Sequence, residues 1–186
     1  MTPLQKVAMG LVIVFLRAPF GGFDALVDPV GWGLVLAGLL PVRSRLPQGG
    51  TAVTLATFAA LVSVPLVVPA VNEQLTPSGQ WALSVPQSVF CIVVCGALAT
   101  LAERAGDREA RRFGLLRVAY VAVLAGPVLV YGGQVDVLAT PVAVLAVLSN
   151  VYLVYLTFKV SKRDYAQGTD RPDGTEAAPP GGTASV

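Results

Sequence analysis

The stretch FLRAPFGGFDALVDPVGWG, residues 15–33, joins two apolar runs at about residues 4–23 and 28–42. Its glycines and the Asp28-Pro29 pair are typical of a turn that leads into a helix. Aspartate can accept a backbone N–H bond at a helix N-cap, and proline fits the first helical position. The stretch therefore predicts a hairpin of two apolar helices.

The composition of the whole chain indicates a membrane protein. Of its 186 residues, 54% are hydrophobic and only 13% are charged, whereas soluble domains carry about 25% charged residues. A chain of this length cannot bury so much apolar surface in a soluble core. The solvent of its helices is therefore predicted to be the lipid bilayer.

A helix needs about 20 apolar residues to cross a bilayer. The sequence contains six apolar runs of about this length. They lie at about residues 4–23, 28–42, 52–71, 82–102, 116–134 and 138–158. The second is short for a crossing, at about 22 Å for a rise of 1.5 Å per residue. The first is predicted to be retained rather than cleaved as a signal peptide, because Arg17 interrupts it and no cleavage site follows.

The sequence therefore predicts an all-α fold, a polytopic transmembrane bundle of about six spans, over residues 1–163. Residues 164–186, DYAQGTDRPDGTEAAPPGGTASV, are rich in Gly, Pro, Thr and Asp. Such a composition cannot bury enough apolar surface to offset the entropy of ordering. We expect these residues to form a disordered cytoplasmic tail.

The basic residues predict the orientation in the membrane. Alternate connections contain all the basic residues of residues 1–163 except Arg17: Lys6, Arg43, Arg45, Arg104, Arg108, Arg111, Arg112, Arg117, Lys159, Lys162 and Arg163. The connections between them, among them residues 72–81 and 131–136, contain no Lys or Arg. By the positive-inside rule both termini are cytoplasmic. The Arg-, Ala- and Gly-rich composition suggests a bacterium, and hence its plasma membrane.

Three charged side chains of the opening stretch, Arg17, Asp24 and Asp28, form the main candidate site. Arg17 lies about 20 Å along its predicted helix from Leu4, where a charge costs about 2.5–3.5 kcal/mol unless it reaches the interface. One interpretation is an ion pair of Arg17 with either aspartate that fixes the hairpin. The other is a polar pocket at a helix N-terminus that attracts an anion.

The positions Asp24, Leu26, Asp28, Gly31 and Trp32 also resemble a hairpin motif of small bacterial multi-pass membrane proteins. That motif reads Asp-x-Leu-x-Asp followed by Gly and an aromatic residue, and leads into a short apolar helix. The resemblance covers about the first 45 residues. It implies the hairpin and membrane location, and no established activity.

Asn150, beside Ser149 and Tyr152, is a second polar candidate at membrane depth. It is interpreted as a hydrogen-bonding residue between helices, with a ligand role as the alternative. Small residues predict close helix packing at three places: Cys91 with Cys95, Gly33 with Ala37, and Ala122 with Gly126. The chain has no histidine, and two cysteines alone do not make a metal signature. We expect no metal and no cofactor.

The segment ERAGDREARRFGLLR, residues 103–117, contains five arginines. Glu103, Asp107 and Arg111 follow each other at four-residue spacing, which predicts a helix with local charge pairing, as between Asp107 and Arg111. Its excess positive charge beside two spans favours anionic lipid headgroups at residues 104–117. Nucleic acid is excluded as a partner, because the segment is short and tied to the membrane.

The sequence contains no nucleophile elbow, phosphate-binding loop or metal motif, so no enzymatic activity is expected. The leading prediction is an interaction or accessory protein that packs against itself as a homo-oligomer or against a membrane-protein partner. The alternative is a small transporter or channel with a polar pocket at Arg17, Asp24 and Asp28.

Overall fold

The computed structural model describes residues 1–15, 19–20, 23–24, 28–67 and 76–163. Arg17 and the predicted tail, residues 164–186, lie outside the described residues.

The described chain is helical, which confirms the predicted all-α fold. Its six helices are α1 (Pro3–Phe15), α2 (Asp28–Leu39), α3 (Gly49–Leu66), α4 (Pro77–Arg104), α5 (Glu109–Pro127) and α6 (Ala139–Val160). Shorter helical turns are the 3-10 turns Leu40–Val42 and Asp136–Leu138 and the π-helical turn Val128–Gly132. Between α1 and α2, Pro19–Phe20 pairs with Phe23–Asp24 in a two-residue antiparallel ladder.

Side-chain caps begin two of the helices. At α1, the Gln5 N–H donates to Thr2 Oγ1 over 3.2 Å, and the Thr2 N–H donates to Gln5 Oε1 over 2.9 Å, which is a capping box. At α4, Thr76 Oγ1 accepts from the Gly79 N–H over 3.2 Å. Thr76 therefore begins α4 five residues earlier than the predicted span at 82, because a helix in its first turn tolerates polar residues.

Two predicted boundaries are wrong for local reasons. The first helix ends at Phe15 and not near residue 23, and the chain is extended at Pro19–Phe20. The predicted continuous helix over 103–117 is interrupted, because α4 ends at Arg104 and α5 begins at Glu109. Gly106 occupies the left-handed region with φ of 66°, a conformation that glycine adopts without a Cβ penalty.

Four helices are long and apolar enough to cross a membrane: Gly49–Leu66, Ser78–Arg104, Glu109–Gly132 and Ala139–Val160. The other two are shorter, with 13 residues in α1 and 12 in α2. At 1.5 Å per residue, each of these two helices is about 20 Å long or less.

The six helices form a closed ring in chain order. Each helix packs against the next one, and α6 packs back against α1. The interior is filled by large buried side chains, including Trp32, Phe90, Phe113 and Leu153. The Trp32 and Phe90 rings meet edge to face, with centroids 5.1 Å apart, so α2 also contacts α4 across the ring.

Neighbouring helices alternate in direction: Gly38 at the end of α2 meets Pro3 at the start of α1, and Gly126 at the end of α5 meets Val142 at the start of α6. This alternation gives the bundle two distinct ends. The basic end contains Arg43, Arg104 and Lys159, at or near the ends of α2, α4 and α6. The opposite end contains Asp28 at the start of α2, Leu66 at the end of α3 and Thr76 before α4. We call it the pocket end, after a cavity described below. The basic residues at or near the ends of α2, α4 and α6 therefore lie at the same end of the bundle.

Glycines bring α1 and α2 into backbone contact. A Cβ added at Gly10 would lie 2.5 Å from the Gly31 carbonyl oxygen and 2.8 Å from the Val35 nitrogen. The predicted packing pair Gly33 with Ala37 makes no close contact within the described chain, since Gly33 has no described atom within 4 Å of an added Cβ and Ala37 is exposed. The face of α2 that packs closely against α1 is the one that contains Gly31.

Candidate functional site

The structure places the three charged residues of the opening stretch differently. Arg17 lies outside the described residues, and only the backbone of Asp24 is described, paired with Pro19 in the ladder. Asp28 is the first residue of α2, is half-buried and lines a cavity. The ion pair between Arg17 and an aspartate stays a prediction.

The cavity lined by Asp28 lies between α2, α3 and α4 at the pocket end and has a volume of about 70 Å³. We call it the polar pocket. Its polar lining residues are Asp28, Ser63, Gln80, Ser84 and Gln87, and Trp32 is among its other walls. Among the described lining residues, Asp28 is the only charged one.

Regular helix spacing explains how these side chains converge. Gln80, Ser84 and Gln87 are four and three residues apart, so they lie on one face of α4. Asp28 and Trp32 are four apart and share a face of α2 in the same way. Ser63 comes from α3, where it is 5% exposed. Three helices therefore contribute polar groups to one small space.

The pocket residues from α3 and α4 were not among the candidates that the sequence indicated. The 80, 84, 87 spacing was a usable signal, because polar residues at helical spacing in an apolar helix share one face. Ser63 gave no such signal, because a single serine in an apolar run is common. Its position in the pocket depends on how α3 is rotated against α4.

The two pocket serines use their hydroxyl hydrogens within their own helices. Ser63 Oγ donates to the Ala60 carbonyl over 2.8 Å, and Ser84 Oγ donates to the Trp81 carbonyl over 2.7 Å. A hydroxyl whose hydrogen is engaged still has oxygen lone pairs that can accept. Both serines therefore line the pocket as hydrogen-bond acceptors.

A second cavity lies on the other side of α4, with a volume of about 250 Å³ and mostly apolar walls. Ser84 lines both cavities, whereas Ser88 lines only the second. Here the Trp81 indole N–H donates to the Leu124 carbonyl of α5 over 3.3 Å. This bond fixes the first turns of α4 against α5.

At the basic end, the charged side chains form ion pairs with each other and do not line a cavity. Glu109 Oε1 lies 2.9 Å from Arg112 Nη1 and 2.8 Å from Lys159 Nζ, and the glutamate side chain is only 7% exposed. Asp107 Oδ2 lies 3.6 Å from Arg163 Nε. We call these five residues the charged cluster. It connects α5 to α6 and the chain that follows it.

Midway along the bundle, Asn150 is held by an interhelical hydrogen bond. The Tyr120 hydroxyl of α5 donates to Asn150 Oδ1 of α6 over 2.8 Å. Asn150 also lines an apolar cavity of about 200 Å³ between α1 and α6. Cys91 and Cys95 are free thiols with no exposed surface, and they fill the core beside Tyr120.

The fold and the pocket define a class of protein: a helical bundle with four helices long and apolar enough to cross a membrane and a small polar cavity at one end. No family model, curated protein or solved structure matches this chain. Its function is therefore inferred from its own residues.

Proposed function

We propose that this chain is a small multi-pass protein of a bacterial plasma membrane that binds a small polar solute or ion in the polar pocket, as small transporters and channels do. The observation that carries the proposal is the convergence of Asp28, Ser63, Gln80, Ser84 and Gln87 on one cavity. It replaces the accessory role as the preferred function, because an accessory role does not account for polar side chains that converge on one cavity.

Membrane energetics support a binding role for this pocket. Polar and ionisable side chains are expensive within membrane helices, and they are retained mainly where they pair with each other or serve a pathway or ligand. The charged cluster represents the first case. In the polar pocket, the carboxamide side chains of Gln80 and Gln87 make no hydrogen bond to another described residue, and both border an open volume.

The two ends of the ring support an orientation. Basic residues favour the cytoplasmic side, so the basic end faces the cytoplasm, both termini lie there and the polar pocket opens to the outside. Trp81 and Tyr131, near the pocket end, fit an interfacial aromatic belt. The pocket is therefore placed where a solute from outside the cell would enter.

An accessory role remains the second hypothesis. Large apolar side chains such as Leu61, Val118 and Val151 are about two-thirds exposed on the outside of the ring. Lipid covers such faces as well as a partner helix does, and arginines 104–117 would face anionic headgroups in either case. Purification in mild detergent separates the two, because a constant co-eluting protein would favour the accessory role.

The test of the binding pocket compares two cysteine variants, Ser84→Cys and Leu61→Cys, in sealed vesicles with a known orientation. A charged, membrane-impermeant thiol reagent should label Ser84→Cys from the outer side. Leu61→Cys should not react, although Leu61 is 65% exposed in the isolated chain, because it faces lipid. Cys91 and Cys95 are fully buried, so the unmodified protein should give little background.

A third variant, Ala105→Cys at the basic end, should be labelled only after permeabilisation. Ala105 is preferable to Gly106, whose φ of 66° makes substitution there strained. Equal labelling of Ser84→Cys and Leu61→Cys would contradict the membrane arrangement. No labelling of Ser84→Cys from either side would contradict an accessible pocket.

A further inference from the structure

We infer that the ligand of the polar pocket is a small monovalent cation coordinated by oxygen atoms. This inference rests on the proposed function and names the ligand class of that same pocket. The coordinating oxygens are the carboxylate of Asp28, the hydroxyls of Ser63 and Ser84, and the carboxamides of Gln80 and Gln87.

The charge of the lining favours a cation. Among the described lining residues one carboxylate, Asp28, is the only charged group. Asp28 also makes a further interaction within the protein. A carboxylate has two oxygens and about four lone-pair sites, so it can keep that interaction and still present an oxygen to the pocket. This differs from the anion that the sequence predicted for a pocket containing Arg17.

The hydrogen-bond chemistry of the lining also favours a cation. Ser63 and Ser84 donate their hydrogens to Ala60 and Trp81 carbonyls, which leaves lone pairs for the pocket. A carboxamide can present its oxygen, and an ionised carboxylate only accepts. A lining that is rich in acceptors suits a ligand that brings positive charge and no lone pairs.

The volume limits the size of the ligand. The pocket offers about 70 Å³ of free space, and a water needs about 10–15 Å³ measured in the same way, so an ion with a few waters fits. Pockets for larger organic ligands usually measure about 300–1,000 Å³. The small volume of the pocket therefore favours an ion over an amino acid, a sugar or a lipid.

The oxygen donors favour a singly charged ion over a divalent one. Calcium takes 6–8 oxygens, usually including several carboxylates, and magnesium demands near-ideal octahedral geometry. Zinc and related metals prefer imidazole or thiolate, and the chain has no histidine. Within the part of the chain that the structure describes, no three His, Cys, Asp or Glu side chains group as a metal site.

The experiment measures the thermal stability of the purified full-length protein in detergent with chloride salts of Li⁺, Na⁺, K⁺ and NH₄⁺. N-methylglucamine chloride, whose cation is too large to enter, keeps the ionic strength constant. We expect at least one small cation to raise Tm by several degrees in a saturable way, because a ligand that binds the native state stabilises it by mass action. No cation-specific rise would overturn the inference.

Pocket variants and a matched control connect that rise to this site. Asp28→Asn and Ser63→Ala should remove or weaken the rise in Tm. Ser88→Ala, on the same helix as the pocket glutamines but facing only the second cavity, should leave it unchanged. If Asp28→Asn fails to fold, Gln87→Leu takes its place. A rise that survives both Asp28→Asn and Ser63→Ala, or both Gln87→Leu and Ser63→Ala, would overturn the inference.

Further arms distinguish failure of the inference from failure of the proposed function. If acetamide stabilises the protein saturably and cations do not, the pocket binds neutral solutes and the inference is wrong while the proposed function stands. If replacing chloride by sulfate changes Tm and replacing the cation does not, the ligand is an anion and the inference is again wrong. If no probe binds and Ser84→Cys is not labelled, the proposed function is wrong as well.

Discussion

The two ends of the bundle treat their polar side chains in opposite ways. At the basic end, Glu109 is held by two cations at 2.8 and 2.9 Å, so its hydrogen-bonding capacity is used within the protein. At the pocket end, the side chains of Gln80 and Gln87 border a cavity and make no hydrogen bond to a described residue. Satisfied groups in a membrane bundle stabilise the fold, whereas groups around a cavity are available to a ligand.

The largest expected effect concerns the hairpin that positions α2, and with it Asp28. Gly10→Ala places a Cβ 2.5 Å from the Gly31 oxygen and 2.8 Å from the Val35 nitrogen. Because these are backbone atoms that cannot rotate away, we expect a loss of about 3 kcal/mol, measured by unfolding in detergent.

The matched control for this prediction is Gly33→Ala on the open face of α2. No described atom lies within 4 Å of its added Cβ, and alanine is the better helix former by about 1 kcal/mol. Gly33→Ala should therefore be neutral or slightly stabilising. Equal losses for both variants would show that α1 and α2 do not pack through Gly10.

The next effect breaks the charged cluster. Glu109→Leu removes the carboxylate that two cations share and leaves Lys159 without its partner in a half-buried position. Breaking a buried pair from one side costs about 3–5 kcal/mol, and the partial exposure of both cations should reduce this to about 2 kcal/mol. The measurement is again the free energy of unfolding in detergent.

The control for the cluster is Glu103→Leu, because Glu103 is exposed and should change stability by less than about 0.5 kcal/mol. The ligand response of the polar pocket should survive Glu109→Leu, since the two sites lie at opposite ends. If Glu109→Leu retained full stability but lost ligand binding, the charged cluster would serve binding and not stability, contrary to this prediction.

A smaller effect is expected for the hairpin charges. If Arg17 pairs with Asp24 or Asp28, replacing either partner by leucine leaves an uncompensated charge, and the double variant should recover part of the loss. A double-mutant cycle should give a coupling of about 1 kcal/mol for one aspartate. Additive losses for both aspartates would mean that Arg17 reaches the interface without a partner.

The smallest effect on stability is expected in the polar pocket itself. Gln87→Leu removes no hydrogen bond to a described residue, so stability should change by less than about 0.5 kcal/mol, while ligand binding is lost. A loss of stability as large as that of Glu109→Leu would instead assign Gln87 a structural role.

The sequence predicted the helices better than it predicted their ends. Continuous apolar runs require helices in a bilayer, so the all-α fold followed from composition alone. The break at Gly106 was missed, because charges four residues apart around it favoured one helix. The start of α4 was missed, because Gln80 and Ser78 made its first turn look like a loop.

The candidate site was predictable only in part. Asp28 stood out, since a carboxylate in an apolar region is rare and expensive. Ser63 and Gln87 did not, because uncharged polar residues occur widely in membrane helices. Their importance arises when α3 and α4 turn the two side chains toward the same cavity, and one sequence contains no measure of that rotation.

The short helices of the hairpin have a consequence for the surrounding lipid. The hydrocarbon core of a bilayer is about 30 Å thick, whereas α1 and α2 have 13 and 12 residues and reach about 20 Å at most. Lipids beside a short hydrophobic segment compress to match it, at a fraction of a kcal/mol per Å of mismatch. We therefore expect the leaflet beside Asp28 to be thinned, so that water reaches the carboxylate without a deep channel, and we expect the protein to partition into the thinner regions of its membrane.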